Sequence, residues 1–349
     1  MWFMDITIDD VDALAIGATV LGSGGGADPT PEAQRLKERL MDVGSVSVIA
    51  LDALLDDELV APLAFMGAPI VSIEKLASGK ECSTLLSMVQ EHFSAPVRAV
   101  APCEIGGSNA FVPLIEACIN RALTVVDADM IGRAFPELQM SSCALAGIAC
   151  APAFLCDAEG NRATVLTQEP EKMEAMCRAL TCSMGSNTAV SAYIMRGRDA
   201  KRALIPGTIT RALKIGKTLL NGGFLAFEKD FGAKRLASGV VVDVEQEVRD
   251  GFLFGNVCIQ TEGGSVQILF QNEYLFVCFD TELLAATPDI IVILEKETSL
   301  PLSSERLCFG QQVVLFALDA PSIWKTREGL SLVGPQVFKG VYDAIQNRN

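Results

Sequence analysis

The chain has 349 residues and is 50% hydrophobic, enough apolar material for two domains with cores of their own. Its 43 acidic residues outnumber 28 basic ones, and a net charge of −15 argues against nucleic acid or an anionic membrane surface as a partner. Most of the eleven cysteines, with no C-x-x-C pair among them, read as buried, reduced thiols of a cytoplasmic protein, and one histidine allows no multi-histidine zinc site.

The first residues, Met1 to Asp5, carry neither a basic flank nor a long apolar region, so no secretory leader is expected. From Ile8 to Leu21 the residues Val11, Leu14, Ala15, Ala18 and Leu21 recur at helical spacing, with Asp9 or Asp10 as N-cap and Gly22 past the end. Thr30-Pro31-Glu32 reads as the start of a second helix running to Leu40. Strands are expected at Ser45–Ile49, Leu59–Phe65, Pro96–Ala101 and Leu123–Val126, with helices through Leu85 and from Ala110 to Arg121 between them. His92 ends the first of these helices, where the dipole favours an imidazole. The stretch from Met140 to Cys156 is rich in Ala, Gly, Ser and Cys and is interrupted by Pro152. It is a poor membrane span and is expected to be a closely packed buried helix.

Beyond Glu169 two helical stretches, Glu171–Cys182 and Ile209–Leu219, flank a Ser- and Gly-containing segment. After Gly239 come six strand-like runs separated by turn signals: G-V-V-V-D-V, F-G-N-V-C-I, S-V-Q-I-L-F, Y-L-F-V-C-F, I-I-V-I-L and Q-V-V-L-F-A-L. The expectation is an α/β domain over residues 1–165 and a β-rich α+β domain over 166–349, the latter a small barrel or sandwich with two or more helices.

Three segments carry candidate chemistry. The first is L-G-S-G-G-G-A-D-P, Leu21 to Pro29. A dinucleotide loop needs a preceding strand, and a phosphate loop of the Walker type needs G-K-[ST]; here the glycines lie between helices and end in Asp28, so no nucleotide is expected. Free N–H groups at Gly24, Gly25 and Gly26 can cradle a carbonyl or carboxylate, and Asp28 can hold a metal or water. A plain helix–helix connector is the alternative.

The second segment, P-C-E-I-G-G-S-N-A-F-V-P-L from Pro102, places Glu104 after an apolar strand, Gly106 and Gly107 in a turn, and Ser108-Asn109 before a helix. Such a strand-to-helix turn is a usual ligand position in α/β sheets, although Ser108 and Asn109 are equally ordinary caps. The third runs from Val125 to Ser142. Asp127 and Asp129, two apart, either bind a divalent cation or raise one carboxyl pKa for acid–base work. Arg133 and Glu137, four apart, fit a helical ion pair. In the second half, Gln271-Asn272-Glu273 and Thr287-Pro288-Asp289 read as hairpin turns, while Ser183 to Asn187 and Gly207-Thr208 are further contact candidates.

Together these segments, with F-Q-N-E-Y-L, T-P-D-I-I-V-I-L and G-Q-Q-V following in order, resemble the S-methyl thiohydantoin desulfurase family from about Asp9 to Pro335. The resemblance implies two domains and hydrolytic loss of methanethiol from an S-methylated thiohydantoin to give a hydantoin. Fitted to that chemistry, Glu104 or Asp127 is the general base and Asp129 a second acid or metal ligand. Asn109 and the loop N–H groups polarise the ring, and Arg133 holds a ring carbonyl or carboxylate. The alternatives are another cyclic-amide hydrolase and a non-catalytic binding or accessory subunit of a hydantoinase/oxoprolinase-type partner. No spacing selects a metal, and a homo-oligomer is expected on general grounds.

Overall fold

The computed structural model describes residues 3–67, 71, 77–280 and 282–346. Strand β1 (Phe3–Ile6) leads through a 3₁₀ turn into α1 (Val11–Gly22). Asp10 takes the N-cap position of α1, one of the two expected, while its side chain closes the preceding 3₁₀ turn: Asp10 Oδ2 accepts the Thr7 N–H at 3.1 Å and its hydroxyl at 3.0 Å. There follow α2 (Thr30–Val43), β2 (Val46–Ala50), β3 (Leu59–Gly67), α3 (Glu81–Phe93), β4 (Val97–Pro102), α4 (Val112–Ile119) and β5 (Thr124–Asp129). The alternation expected from the sequence is therefore present, and β5 extends far enough to include both Asp127 and Asp129.

The buried helix expected between Met140 and Cys156 does not form. The segment holds one four-residue helix, α5 (Ser142–Leu145), then turns at Gly147 (φ 68°) and enters β6 (Ala153–Cys156). Small residues here satisfy close packing in an irregular chain as well as they would in a helix. After β7 (Arg162–Val165) come α6 (Pro170–Ser183), β8 (Asn187–Ser191), β9 (Met195–Arg196), α7 (Gly197–Ala203), β10 (Ile205–Pro206) and α8 (Thr208–Phe231).

Among the described residues the first sheet has ten strands. Its main order is β1-β2-β5-β4-β3-β8-β6-β7, with β10 on β5 and β9 on β3. The centre, β2-β5-β4-β3, is parallel, and β8 joins β3 antiparallel. Strands β8, β9 and β10 lie beyond residue 166 in sequence, so this sheet draws on both sides of the 165/166 boundary.

The second sheet comprises β11 (Lys234–Arg249), β12 (Phe252–Gln260), β13 (Ser265–Gln271), β14 (Glu273–Phe279), β15 (Glu282–Ala286), β16 (Ile290–Glu295), β17 (Pro301–Leu302) and β18 (Gln312–Leu318). Its order is β15-β14-β13-β12-β11-β18-β16-β17, wholly antiparallel and open at β15 and β17. The sheet curls, so that Val257, Ile268 and Val277 share one apolar cluster with Ile291, Ile293 and Leu315. The alternate residues Ile290, Val292 and Leu294 belong instead to the core beneath α1 and α8. Burial on both faces explains why I-I-V-I-L reads as an unbroken apolar run.

Two glycines let the halves touch. A Cβ on Gly17 of α1 would lie 1.7 Å from the Ala212 carbonyl oxygen of α8, and one on Gly216 of α8 would lie 1.8 Å from that of Ala13. Helix–helix contact at this distance tolerates no side chain at either position.

Candidate active site

A cleft opens at the carboxyl ends of parallel strands β3, β4 and β5, the place where α/β sheets bind ligands. Its walls include Phe65 and Met66 from β3, Cys103 and Glu104 after β4, Ser108 and Asn109 from the next turn, and Met130, Ile131 and Phe135 to Leu138 after β5. Gly26 and Ala27 close one side, and Arg178 of α6 and Asn187 of β8 another. Asn272 and Glu273 arrive from the β13–β14 hairpin of the second sheet. Both sheets therefore build the cleft.

Glu104 is the carboxyl at the head of this cleft, held by a neighbouring side chain. Asn109 Nδ2 donates to Glu104 Oε1 at 2.7 Å, and Asn109 is fixed in turn because its Oδ1 accepts the Phe65 N–H at 2.8 Å. Burial pushes the Glu104 carboxyl up to about 7, against the opposing pull of Asn109, the Phe135 N–H, Arg133 and Arg178. The neighbouring Cys103 thiol is raised well above its ordinary range by burial and by Glu104, so it is neutral and a poor nucleophile.

The two aspartates on β5 do different work from that expected. Asp127 Oδ1 accepts the Ile209 and Thr210 N–H groups at 2.8 and 3.1 Å, and Oδ2 accepts the Thr210 hydroxyl at 2.5 Å. It caps α8, is absent from the cleft walls and is spent as a helix anchor. Asp129 is fully buried, with Oδ2 accepting from Ile105 N–H at 2.7 Å and Oδ1 from Gly132 N–H at 2.8 Å. Burial lifts its carboxyl to about 8, and it ties the two strand-end loops together from behind the cleft. Among the described residues no three His, Cys, Asp or Glu side chains group as a metal site, and this pair is divided between separate backbone donors.

Arg133 and Glu137 form no helical pair, because the chain between β5 and α5 is irregular. Arg133 is fully buried, donating from Nε to Ala134 O at 2.8 Å and from Nη1 to Pro288 O and Asp289 O at 2.5 and 2.9 Å. It pins the 287–289 turn to the first domain and stands outside the cleft walls. Glu137 does line the cleft, and its carboxylate accepts from Gln139.

The glycine-rich loop is stitched into both halves. Ser23 O accepts from Tyr274 N–H at 2.6 Å, Gly24 O from Ser304 N–H at 2.8 Å, and Gly26 O from Ser108 N–H at 2.9 Å. The Gly25 N–H is taken by Gly22 O at 2.9 Å, so the open cradle of donors expected there is not present at that residue. Gly26 (φ 73°) and Gly107 (φ 62°) lie backbone to backbone: a Cβ on Gly107 would sit 2.3 Å from Gly26 O. A Cβ on Gly106 would meet Ala134 Cβ at 2.7 Å. Gly24, Gly106 and Gly107 thus serve packing. Asp28 takes Thr30 N–H and hydroxyl at 2.9 and 2.6 Å and pairs with Arg306; against the cost of burial, the Thr30 bonds first and then Arg306 hold its carboxyl below the usual range. Neither metal nor water ligation is needed to account for it.

Sequence reading underrated two groups. Glu273 was legible only as part of a hairpin turn, yet it is 2% exposed and faces the cleft. Its signal is an acid wedged between two continuous apolar runs. Arg178 lies on the buried stripe of α6 with Met173, Glu174 and Cys177, a charge pair at helical spacing on the wrong face. His92 ends α3 as expected, with its ring 5.7 Å from that of Phe154 and outside the cleft walls. No described helix is long and apolar enough to cross a membrane.

The description "S-Me-THD-like, N-terminal domain" matches residues 9–167 and "S-Me-THD-like, C-terminal domain" matches residues 168–345. A crystal structure of a protein from Chromobacterium violaceum superposes with a TM-score of 0.81 at 23% identity, covering 99% of this chain and 97% of that one. That likeness establishes the shared fold. Curated proteins give no match.

Proposed function

The chain belongs to the S-Me-THD-like family, and on that premise we propose that its cleft hydrolyses a small cyclic amide of the thiohydantoin type, replacing an S-methyl group by oxygen. The observation that carries the reading is Glu104, a carboxyl near 7 held by Asn109 at the carboxyl end of a parallel strand. A base poised there takes a proton from water at neutral pH, the first requirement for attack at the ring carbon between the two nitrogens.

The charges around the cleft favour an uncharged ring. Arg178 spends its guanidinium on Glu174, Gly251 O and Pro136 O, and Arg133 is buried behind the wall. With Arg178 engaged and Arg133 buried behind the wall, a substrate carboxylate finds no counter-charge among the described residues of the cleft walls, whereas ring N–H groups find acceptors in Glu104 and Glu137. Asn109 keeps the base in place, and Phe65, Met66 and Phe135 give the ring apolar surfaces to lie against.

The test is methanethiol release by the purified chain from an S-methyl thiohydantoin, with Glu104→Gln as control. Release by the wild type and its loss in the variant support the reading. Ring opening without thiol identifies a different cyclic-amide hydrolase. Turnover that appears only with a hydantoinase-like subunit assigns the chain an accessory role.

A further inference from the structure

The cleft contains a second carboxyl whose surroundings differ from those of Glu104. Glu273 follows Asn272, which adopts φ 58° and is locked by three bonds: Asn272 N–H to Leu253 O at 2.7 Å, Leu253 N–H to Asn272 Oδ1 at 2.8 Å, and Ser304 hydroxyl to Asn272 O at 3.0 Å. This one-residue turn aims Glu273 at the first domain. There it meets Gly25, where a Cβ would stand 2.0 Å from Glu273 Oε1, so only glycine leaves the carboxyl room. Glu273 Oε2 is buried with no hydrogen-bond partner among the described residues.

We infer that Glu273 is the proton donor of the reaction and works with Glu104 as an unlike carboxyl pair built across the two domains. The assignment rests on the hydrolytic reading above. Glu104 accepts an N–H from Asn109, a bond that favours its anion, whereas Glu273 has a buried oxygen without a donor, which favours the acid. The charged and titratable groups that act on Glu273 are Glu104, Arg133 and Arg178; Glu137 and Cys103 line the same cleft. Burial and the Glu104 charge hold the Glu273 carboxyl well above the ordinary range, and Arg133, the residue's own backbone N–H and Arg178 only partly oppose them.

Water gives a proton to the Glu104 carboxylate as its oxygen bonds to the ring carbon. The C=N electron pair moves to nitrogen, which takes the Glu273 proton. The new hydroxyl then returns its proton to Glu273 as the carbonyl forms, the C–S bond breaks with its pair on sulfur, and the thiolate takes the proton held by Glu104. One water is consumed, one methanethiol leaves, and both carboxyls regain their starting states.

The experiment compares the wild type with Glu273→Gln in two readouts. The first is the pH profile of methanethiol release. The variant is expected to lose about 100-fold or more in kcat and to lose the alkaline limb, keeping the acid limb set by Glu104. The second is the infrared carboxylic-acid carbonyl band at neutral pH, where the wild type minus Glu273→Gln difference should contain one protonated carboxyl. Wild-type turnover in the variant, an unchanged alkaline limb, or no protonated carboxyl in the difference spectrum would overturn the assignment. If the wild type releases no methanethiol, the hydrolytic reading fails, and with it the donor role. The band then reports separately whether the unlike pair exists.

Discussion

Asn109 holds Glu104 and strand β3 at once: its Nδ2 donates to Glu104 Oε1 at 2.7 Å while its Oδ1 accepts the Phe65 N–H at 2.8 Å. One amide thereby sets both the position of the carboxylate and the edge of the cleft. Removing it in Asn109→Ala takes away a bond that favours the Glu104 anion, so the carboxyl should titrate higher and the acid limb of the pH–rate profile should move to higher pH. Misplacement of the base should also reduce kcat about tenfold to a hundredfold. An unmoved acid limb would separate Asn109 from the base.

Asp127→Ala should behave as a loss of a helix cap. Stability should fall by about 1–3 kcal/mol, since Ile209 and Thr210 lose their acceptor at the start of α8. Turnover per folded molecule should stay within a few-fold of wild type. Urea unfolding and active-site-normalised kinetics read the two effects separately, and a drop of orders of magnitude in turnover would return Asp127 to the chemistry.

Gly25→Ala tests the contact between the glycine-rich loop and the hairpin acid. The clash falls on the far end of the Glu273 side chain, so the fold should survive while the carboxyl is displaced. A loss of about tenfold to a hundredfold in kcat with a nearly unchanged melting temperature is expected. Unaltered kcat would show that the loop does not position Glu273.

Asp129 makes stability depend on pH in a defined direction. Its folded value, about 8, lies above the ordinary aspartate value of 3.8. The folded state therefore keeps a proton that the unfolded chain gives up, and stability falls as pH rises through the window between these values. Asp129→Asn, which retains an acceptor for Ile105 and Gly132 N–H, should flatten that slope. Unfolding free energies of both proteins at pH 5 and pH 8 check it, and parallel slopes would remove Asp129 as the source.

Much of the frame could be read from sequence because it rests on local pattern. The alternation of α1 to β5 and the strand runs after Gly239 follow from periodicity and turn chemistry, and all six runs form strands of the second sheet. What could not be read was long-range partnership. Asp127 and Asp129 share a spacing that places carboxylates together, but Asp127 is claimed by the first turn of α8, at Ile209, 82 residues later. Arg133 and Glu137 have helical spacing in a segment that forms no helix. Glu273 looks like an ordinary turn residue until the hairpin is folded onto Gly25. The place of Glu104 in the cleft could be read because its clue, an acid at the end of an apolar strand before two glycines, is contained within a few residues.

The central claim, hydrolytic substitution at one ring carbon with Glu104 as base, is tested most directly by single-turnover reaction of an S-methyl thiohydantoin in H₂¹⁸O. The prediction is one ¹⁸O in the hydantoin carbonyl and one methanethiol per turnover by the wild type, both lost in Glu104→Gln. Thiol release without ¹⁸O incorporation, or equal incorporation by the variant, would contradict it.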